Sequence, residues 1–238
     1  MSLRSVVPAG VLVEESRQDL TTTVFPAEEA GIAGAVPSRR AEFATTRLCA
    51  RRALARLGFV ASAIPVGPSR QPLLPPGIVG SLTHCDGYRG SALCRAQVVP
   101  ALGVDVEPCR QLPADLRPVV ARSDELTGPA STGPDDLDPA LLLFSIKESV
   151  YKAWNPITGR WLGFHDVRVR TRWRGRRSGD FRADVLIARS AEPAGFDGRF
   201  AVQDALLFTA AWSTGGMATL CSTLSHSMSQ TGYRAAAR

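Results

Sequence analysis

Lysine is almost missing from this chain: of 28 basic residues, only Lys147 and Lys152 are not arginine. Cysteine is sparse and patternless. Cys49, Cys85, Cys94, Cys109 and Cys221 are odd in number and form no C-x-x-C pair, so neither a disulfide framework nor a zinc site is suggested. No run of about 18 apolar residues occurs, so the sequence offers no membrane-spanning helix and no membrane partner is expected. The amino terminus lacks the charged head, apolar run and small-residue cleavage site of a secretory signal, and a cytoplasmic location is expected. Aromatic residues make up 7% of the chain, which leaves little for stacking nucleic-acid bases.

What is present is a chain of 238 residues, 45% hydrophobic, enough for one large domain or two small ones with their own core. A net charge of +6 suits polyanionic partners, among them nucleic acid, acidic proteins and phosphorylated small molecules. Against an arginine background, two lysines within six residues point to selection for a compact point charge instead of a planar fork.

Residues 38–57 carry Phe43, Ala50, Leu54 and Leu57 at helical spacing, with Ser38 as N-cap and Gly58 as stop. The Pro/Gly-rich stretch from Pro65 to Gly80 reads as surface loop. Short apolar runs around Ser81–Thr83, Ser91–Arg95 and Leu102–Glu107 read as strands, with Gly87 in a turn. Residues 127–139 are nearly devoid of large apolar side chains and predict a linker. Beyond it, Ala140–Trp154 predicts a helix ended by Asn155-Pro156. Val167, Val169, Thr171 and Trp173 then alternate with Arg168, Arg170, Arg172 and Arg174, the period of a strand, with Gly175–Gly179 as its turn. The expected organisation is an α+β subdomain over 1–126, the linker, a second α+β subdomain over 140–221, and a poorly ordered tail over 222–238.

Two motifs carry chemistry. In Gly103-Val104-Asp105-Val106-Glu107-Pro108 the valines alternate with carboxylates, so Asp105 and Glu107 share one strand face, roughly 6.5–7 Å apart. Such a pair suits a hard cation such as magnesium; taken alone, a D-x-E is a solvated strand face. In the run Phe144 to Lys152, Glu148 and Lys152 lie one helical turn apart on one face. Taken alone that is a surface ion pair, but a carboxylate beside an ammonium also suits phosphoryl chemistry.

The combination Gly-Val-Asp-Val-Glu followed by Phe-Ser-Ile-Lys-Glu-Ser-Val-Tyr-Lys resembles the signature motifs of the larger, surfactin-synthetase-activating type of 4′-phosphopantetheinyl transferase. Upstream, the runs Gly80 to Tyr88 and Glu42 to Leu54 are similar to the branch that includes the enterobactin-synthase transferase. The four matches stand in the family's order and span residues 40 to 165. The resemblance implies two similar α+β halves related by a pseudo-twofold, with coenzyme A in the cleft between them and magnesium as cofactor. By position, it implies magnesium on Asp105, Glu107 and Glu148, with Glu148 also as base, and Lys152 on the pyrophosphate. Thr83 and His84 match a Ser-His pair that holds the 3′-phosphate of coenzyme A. Arg47, Arg51 and Arg70 match basic positions that grip phosphates. Where relatives carry Gly-Lys-Pro, this chain has Arg70-Gln71-Pro72.

The reaction so implied transfers phosphopantetheine to a serine of an acyl- or peptidyl-carrier protein, for fatty acid, polyketide, nonribosomal peptide or siderophore synthesis, and releases 3′,5′-ADP. One chain with both halves implies a monomer. Carriers of this class are acidic, so Arg168 to Arg174 are either a docking face or a solvated strand face. A metal-dependent nuclease also uses carboxylates and a lysine, but places the lysine two residues after the acid, where this chain has Cys109. A nucleic-acid partner is therefore not expected.

Overall fold

Two helices of 20 residues each lie on antiparallel sheets in the computed structural model, which describes residues 2–127, 133–134 and 137–213. The poorly ordered tail expected over 222–238 and most of the linker expected over 127–139 lie outside the described residues. In chain order the main elements are β1 (Leu12–Ser16), α1 (Pro37–Arg56), β2 (Ile78–Cys85), β3 (Tyr88–Arg95), β4 (Leu102–Pro108), α2 (Arg117–Val120), α3 (Ser123–Leu126) and α4 (Pro139–Thr158). Four strands follow: β5 (Val167–Trp173), β6 (Ser178–Val185), β7 (Gly195–Gln203) and β8 (Leu206–Ser213). The α+β class expected from the sequence is what is observed.

The first sheet has the order β1-β3-β2, and the second β4-β8-β7-β6-β5. The acidic strand β4, expected in the amino-terminal half, is thus the edge of the second sheet, paired antiparallel with β8 from Leu102↔Trp212 to Pro108↔Leu206. Its other side is stitched to β2 by side chains: Val106 N–H donates to Thr83 Oγ1 at 3.2 Å, and Ser81 Oγ reaches Val104 O at 3.5 Å. Val104 and Val106 enter a core shared with Val13, Tyr88, Ala92 and Phe208, which joins the two sheets. A second core lies under α4, where Leu142, Ile146, Val150 and Trp154 meet Phe181, Phe196 and Leu207. Each of these large side chains, once buried, contributes about 1.5–3 kcal/mol.

Helix boundaries differ from the sequence reading in ways that backbone chemistry explains. Helix α1 begins at Pro37, not after a Ser38 cap, because proline at the first helical position loses only an N–H that had no partner. Helix α4 runs past Asn155-Pro156 to Gly159, which ends it at φ 64° and donates its N–H to Asn155 O at 2.8 Å. Pro156 falls in the last turn, where its missing N–H costs one hydrogen bond and only Ile157 and Thr158 of the helix follow it. The turn after β5 is Arg174 to Arg177, since Ser178 and Gly179 already pair in β6.

Candidate active site

Helix α4 crosses β4 at Gly103, where a Cβ would overlap the Ser149 carbonyl and the Ala153 amide. That close approach brings α4 side chains onto the carboxylate face of β4. Asp105 is 4% exposed, and both its oxygens are satisfied: Lys152 Nζ donates to one at 2.6 Å and Ser145 Oγ to the other at 2.9 Å. Thr209 of β8 backs this arrangement, its hydroxyl 2.9 Å from Ser145 Oγ and 2.6 Å from Ser149 Oγ. A buried carboxylate is tolerated here because it has both an opposite charge and hydrogen bonds.

Over this face opens a cavity of about 540 Å³ whose walls are charged. Asp105, Glu107, Glu148 and Lys152 line one side; Arg39, Arg47, Arg70 and His84 line the others. A second cavity of about 410 Å³ adjoins it, lined by Tyr151, Trp161, Leu162 and Phe164, and shares with it the wall of Arg70, Leu82, Glu148 and Lys152. Trp161 is exposed at its rim and packs on Tyr151 with ring centroids 5.3 Å apart.

The electrostatics follow from burial and crowding. Glu107 is pushed up to about 7, by burial first and then by the Asp105 charge, against the pull of Lys152 and Arg110. Glu148 is raised by burial, with Asp105 adding to the effect and Lys152 opposing it. Burial works against the Lys152 ammonium, but Asp105 and the two glutamates outweigh it and hold its pKa above the usual value. His84 falls to about 4, through burial and then the neighbouring cations Arg39, Lys152 and Arg89. Arg47, stacked 3.7 Å from the Phe43 ring centroid, is lowered by burial to about 10 and remains a cation.

The family model of the 4′-phosphopantetheinyl transferase N-terminal domain matches residues 27–94, and that of the 4′-phosphopantetheinyl transferase superfamily matches residues 101–203. The chain is 38% identical over 219 residues to 4′-phosphopantetheinyl transferase Svp of Streptomyces mobaraensis, a match covering 87% of each chain. It is 37% identical over 216 residues to 4′-phosphopantetheinyl transferase PptT of Mycobacterium tuberculosis, covering 87% of this chain and 95% of that one. The chain belongs to the 4′-phosphopantetheinyl transferases. Enterobactin synthase component D of Salmonella typhi is similar over a shorter stretch, 38% identical over 121 residues and 49% of each chain.

Within this transferase, seven of the nine site residues expected from the sequence line the charged cavity: Arg47, Arg70, His84, Asp105, Glu107, Glu148 and Lys152. Two do not. Thr83 is 2% exposed and turned toward β4, where its hydroxyl accepts the Val106 N–H; strand alternation puts His84, not Thr83, on the cavity side. Arg51 is 7% exposed and donates to Glu28 Oε1 at 2.8 Å, a buried carboxylate that also accepts from the amides of Ile64 and Phe25. Its guanidinium is committed to closing the loop over α1 and does not reach the cavity. Conversely, Arg39 lines the cavity and was missed; it lies on the same helical face as Phe43 and Arg47, at four-residue spacing, which was the signal available.

The hard oxygen donors of Asp105, Glu107 and Glu148 are of the kind that suits magnesium. Among the described residues, no three His, Cys, Asp or Glu side chains lie close enough together to form a metal cluster. Asp105 is instead neutralised by the Lys152 ammonium.

Proposed function

We propose that this chain transfers the phosphopantetheine arm of coenzyme A to a serine hydroxyl of an acyl- or peptidyl-carrier protein. The observation that carries this reading is the meeting, in one cavity, of the β4 carboxylates with Glu148 and Lys152, facing Arg39, Arg47 and His84. The cationic side suits the phosphates of coenzyme A, and the adjoining cavity with Tyr151, Trp161 and Phe164 suits the less polar pantetheine arm.

Asp105, Glu107 and Glu148 would hold magnesium, which when bound would offset the charge of the pyrophosphate. Lys152, beside Asp105 at the cavity wall, donates to phosphate oxygens and stabilises charge that grows on the departing 3′,5′-ADP. Glu148, raised by its buried setting, accepts the serine proton, directly or through a water. The remaining residues orient the β-phosphate for in-line attack and exclude solvent.

The test is release of 3′,5′-ADP from coenzyme A. It is expected only when an apo carrier protein and magnesium are both present, to stop on chelation, and to fall at least about a hundredfold in Glu148→Gln. Release at an equal rate without a carrier, or with a carrier whose acceptor serine is alanine, would mean hydrolysis and not transfer.

A further inference from the structure

The cationic rim of the charged cavity is held from behind by a run of ion pairs that the transfer itself does not use. Arg39 Nη1 contacts His84 Nε2. Glu42, less than one turn further along α1, accepts from the same Nη1 at 3.2 Å, and its Oε2 lies 3.9 Å from His84 Nε2. Its other oxygen accepts from Arg89 Nη2 at 3.4 Å. Arg89 is 7% exposed, gripped by both oxygens of Asp19 at 2.7 and 3.1 Å, and donates to Cys85 O at 2.6 Å. This chain of charges fastens α1 to the β2–β3 hairpin at the level of His84.

Arg39, Arg47, Arg70 and Lys152 all face one space, and their mutual repulsion favours sending those that are partly exposed out into solvent. The Arg39 side chain is 39% exposed. Left free, it would have to be ordered each time an anion bound, which costs affinity. Glu42 lies on the side of Arg39 that carries Nη1, and among the described residues only Nη1 has a protein partner, so the remaining donors stay available to a ligand.

We propose that Glu42, braced by Arg89 and Asp19, is a positioning residue that holds Arg39 at the His84 edge for the phosphates of coenzyme A. The proposal rests on the coenzyme A reading above. Glu42 touches no substrate; it acts through Arg39.

The experiment compares the full-length protein with Glu42→Gln, Arg39→Gln and the double variant, using coenzyme A titration by calorimetry, the kinetics of carrier loading and thermal melting. Glu42→Gln keeps the shape and removes the charge. It is expected to weaken coenzyme A binding and raise the KM for coenzyme A by about tenfold, with kcat lowered less than about threefold. In the Arg39→Gln background the same change should add less than about twofold. Coenzyme A affinity within about twofold of wild type in Glu42→Gln, or an equal effect with and without Arg39, would overturn the proposal. So would a joint fall in kcat and melting temperature, the mark of a merely structural role. Failure of the wild type itself to bind coenzyme A would remove the functional reading, and this proposal with it.

Discussion

Lys147 and Glu148 are neighbours in sequence, about 100° apart around α4, and their charged ends find different surroundings. Glu148 lines the charged cavity, whereas the Lys147 side chain is 1% exposed and donates to Glu125 Oε2 at 2.7 Å and to Val120 O at 2.9 Å. Glu125 in turn accepts the amides of Val169 at 2.8 Å and Arg122 at 2.9 Å, so one buried pair ties α3, α4 and β5 together. Lys147→Met would leave Glu125 charged without its ammonium partner and is expected to cost about 3–5 kcal/mol in urea unfolding; adding Glu125→Leu should recover only part of this, because the Val169 and Arg122 amides then lose their acceptor. The two lysines look alike in the sequence, and both were read as chosen for chemistry. At about 100° per residue they lie roughly 140° apart on the helix, so only one of them can share the Glu148 face. The four-residue step from Glu148 to Lys152 was legible; the buried role of Lys147 depends on Glu125, which the local pattern does not reveal.

Glu107 sets a second residue-scale expectation. Its folded-state pKa, about 7, lies above its ordinary value, so ionising it costs stability as pH rises through that interval. His84 acts in the opposite sense: a cation depressed to about 4 loses stability as pH falls below its ordinary value. Without divalent metal, Glu107→Gln is therefore expected to melt higher than wild type at pH 8, by a margin that shrinks toward pH 5. Added magnesium should raise the wild-type melting temperature and leave Glu107→Gln almost unmoved. A higher-melting wild type at pH 8, or equal responses to magnesium, would contradict this account of the carboxylates.

At the scale of elements, the seating of α4 on β4 depends on Gly103. Gly103→Ala must push the helix away from the strand, and is expected to cost at least about 2 kcal/mol and to lower transfer more than coenzyme A binding, since Lys152 and Glu148 would retreat from Asp105. The β7–β8 hairpin offers a gain instead. Asp204 and Ala205 hold φ of 51° and 57°, a conformation suited to Asn-Gly, and that double replacement is expected to stabilise by about 1–2 kcal/mol in the same assay. Strand alternation made β5 readable, with Val167, Val169 and Thr171 buried and Arg170 and Arg172 exposed. The partner of β4 was not readable, because Asp105 pairs with Thr209, and no local pattern announces a partner so distant in sequence.

For the whole molecule, the helix-on-sheet plan occurs twice, over three strands and then over five, and the charged cavity lies where β2, β4, α1 and α4 meet. The arginine face of β5 is less cationic than its sequence suggests. Arg168 pairs with Asp124, Arg170 with Asp184 and Arg174 with Asp180, while Arg182 bridges Asp184 and Asp197. Any steering of an acidic carrier by this face is therefore partly cancelled, and the sequence could not show it because the carboxylates come from neighbouring strands and from α3. Among the described residues no helix is long and apolar enough to cross a membrane. The measurement that bears most directly on the central claim is intact-protein mass spectrometry of an apo carrier protein incubated with coenzyme A, magnesium and either wild-type protein or Glu148→Gln. The account predicts a gain of one phosphopantetheine group on the carrier with wild type and none with the variant. An unmodified carrier across both acyl- and peptidyl-carrier proteins, or equal modification by Glu148→Gln, would contradict it.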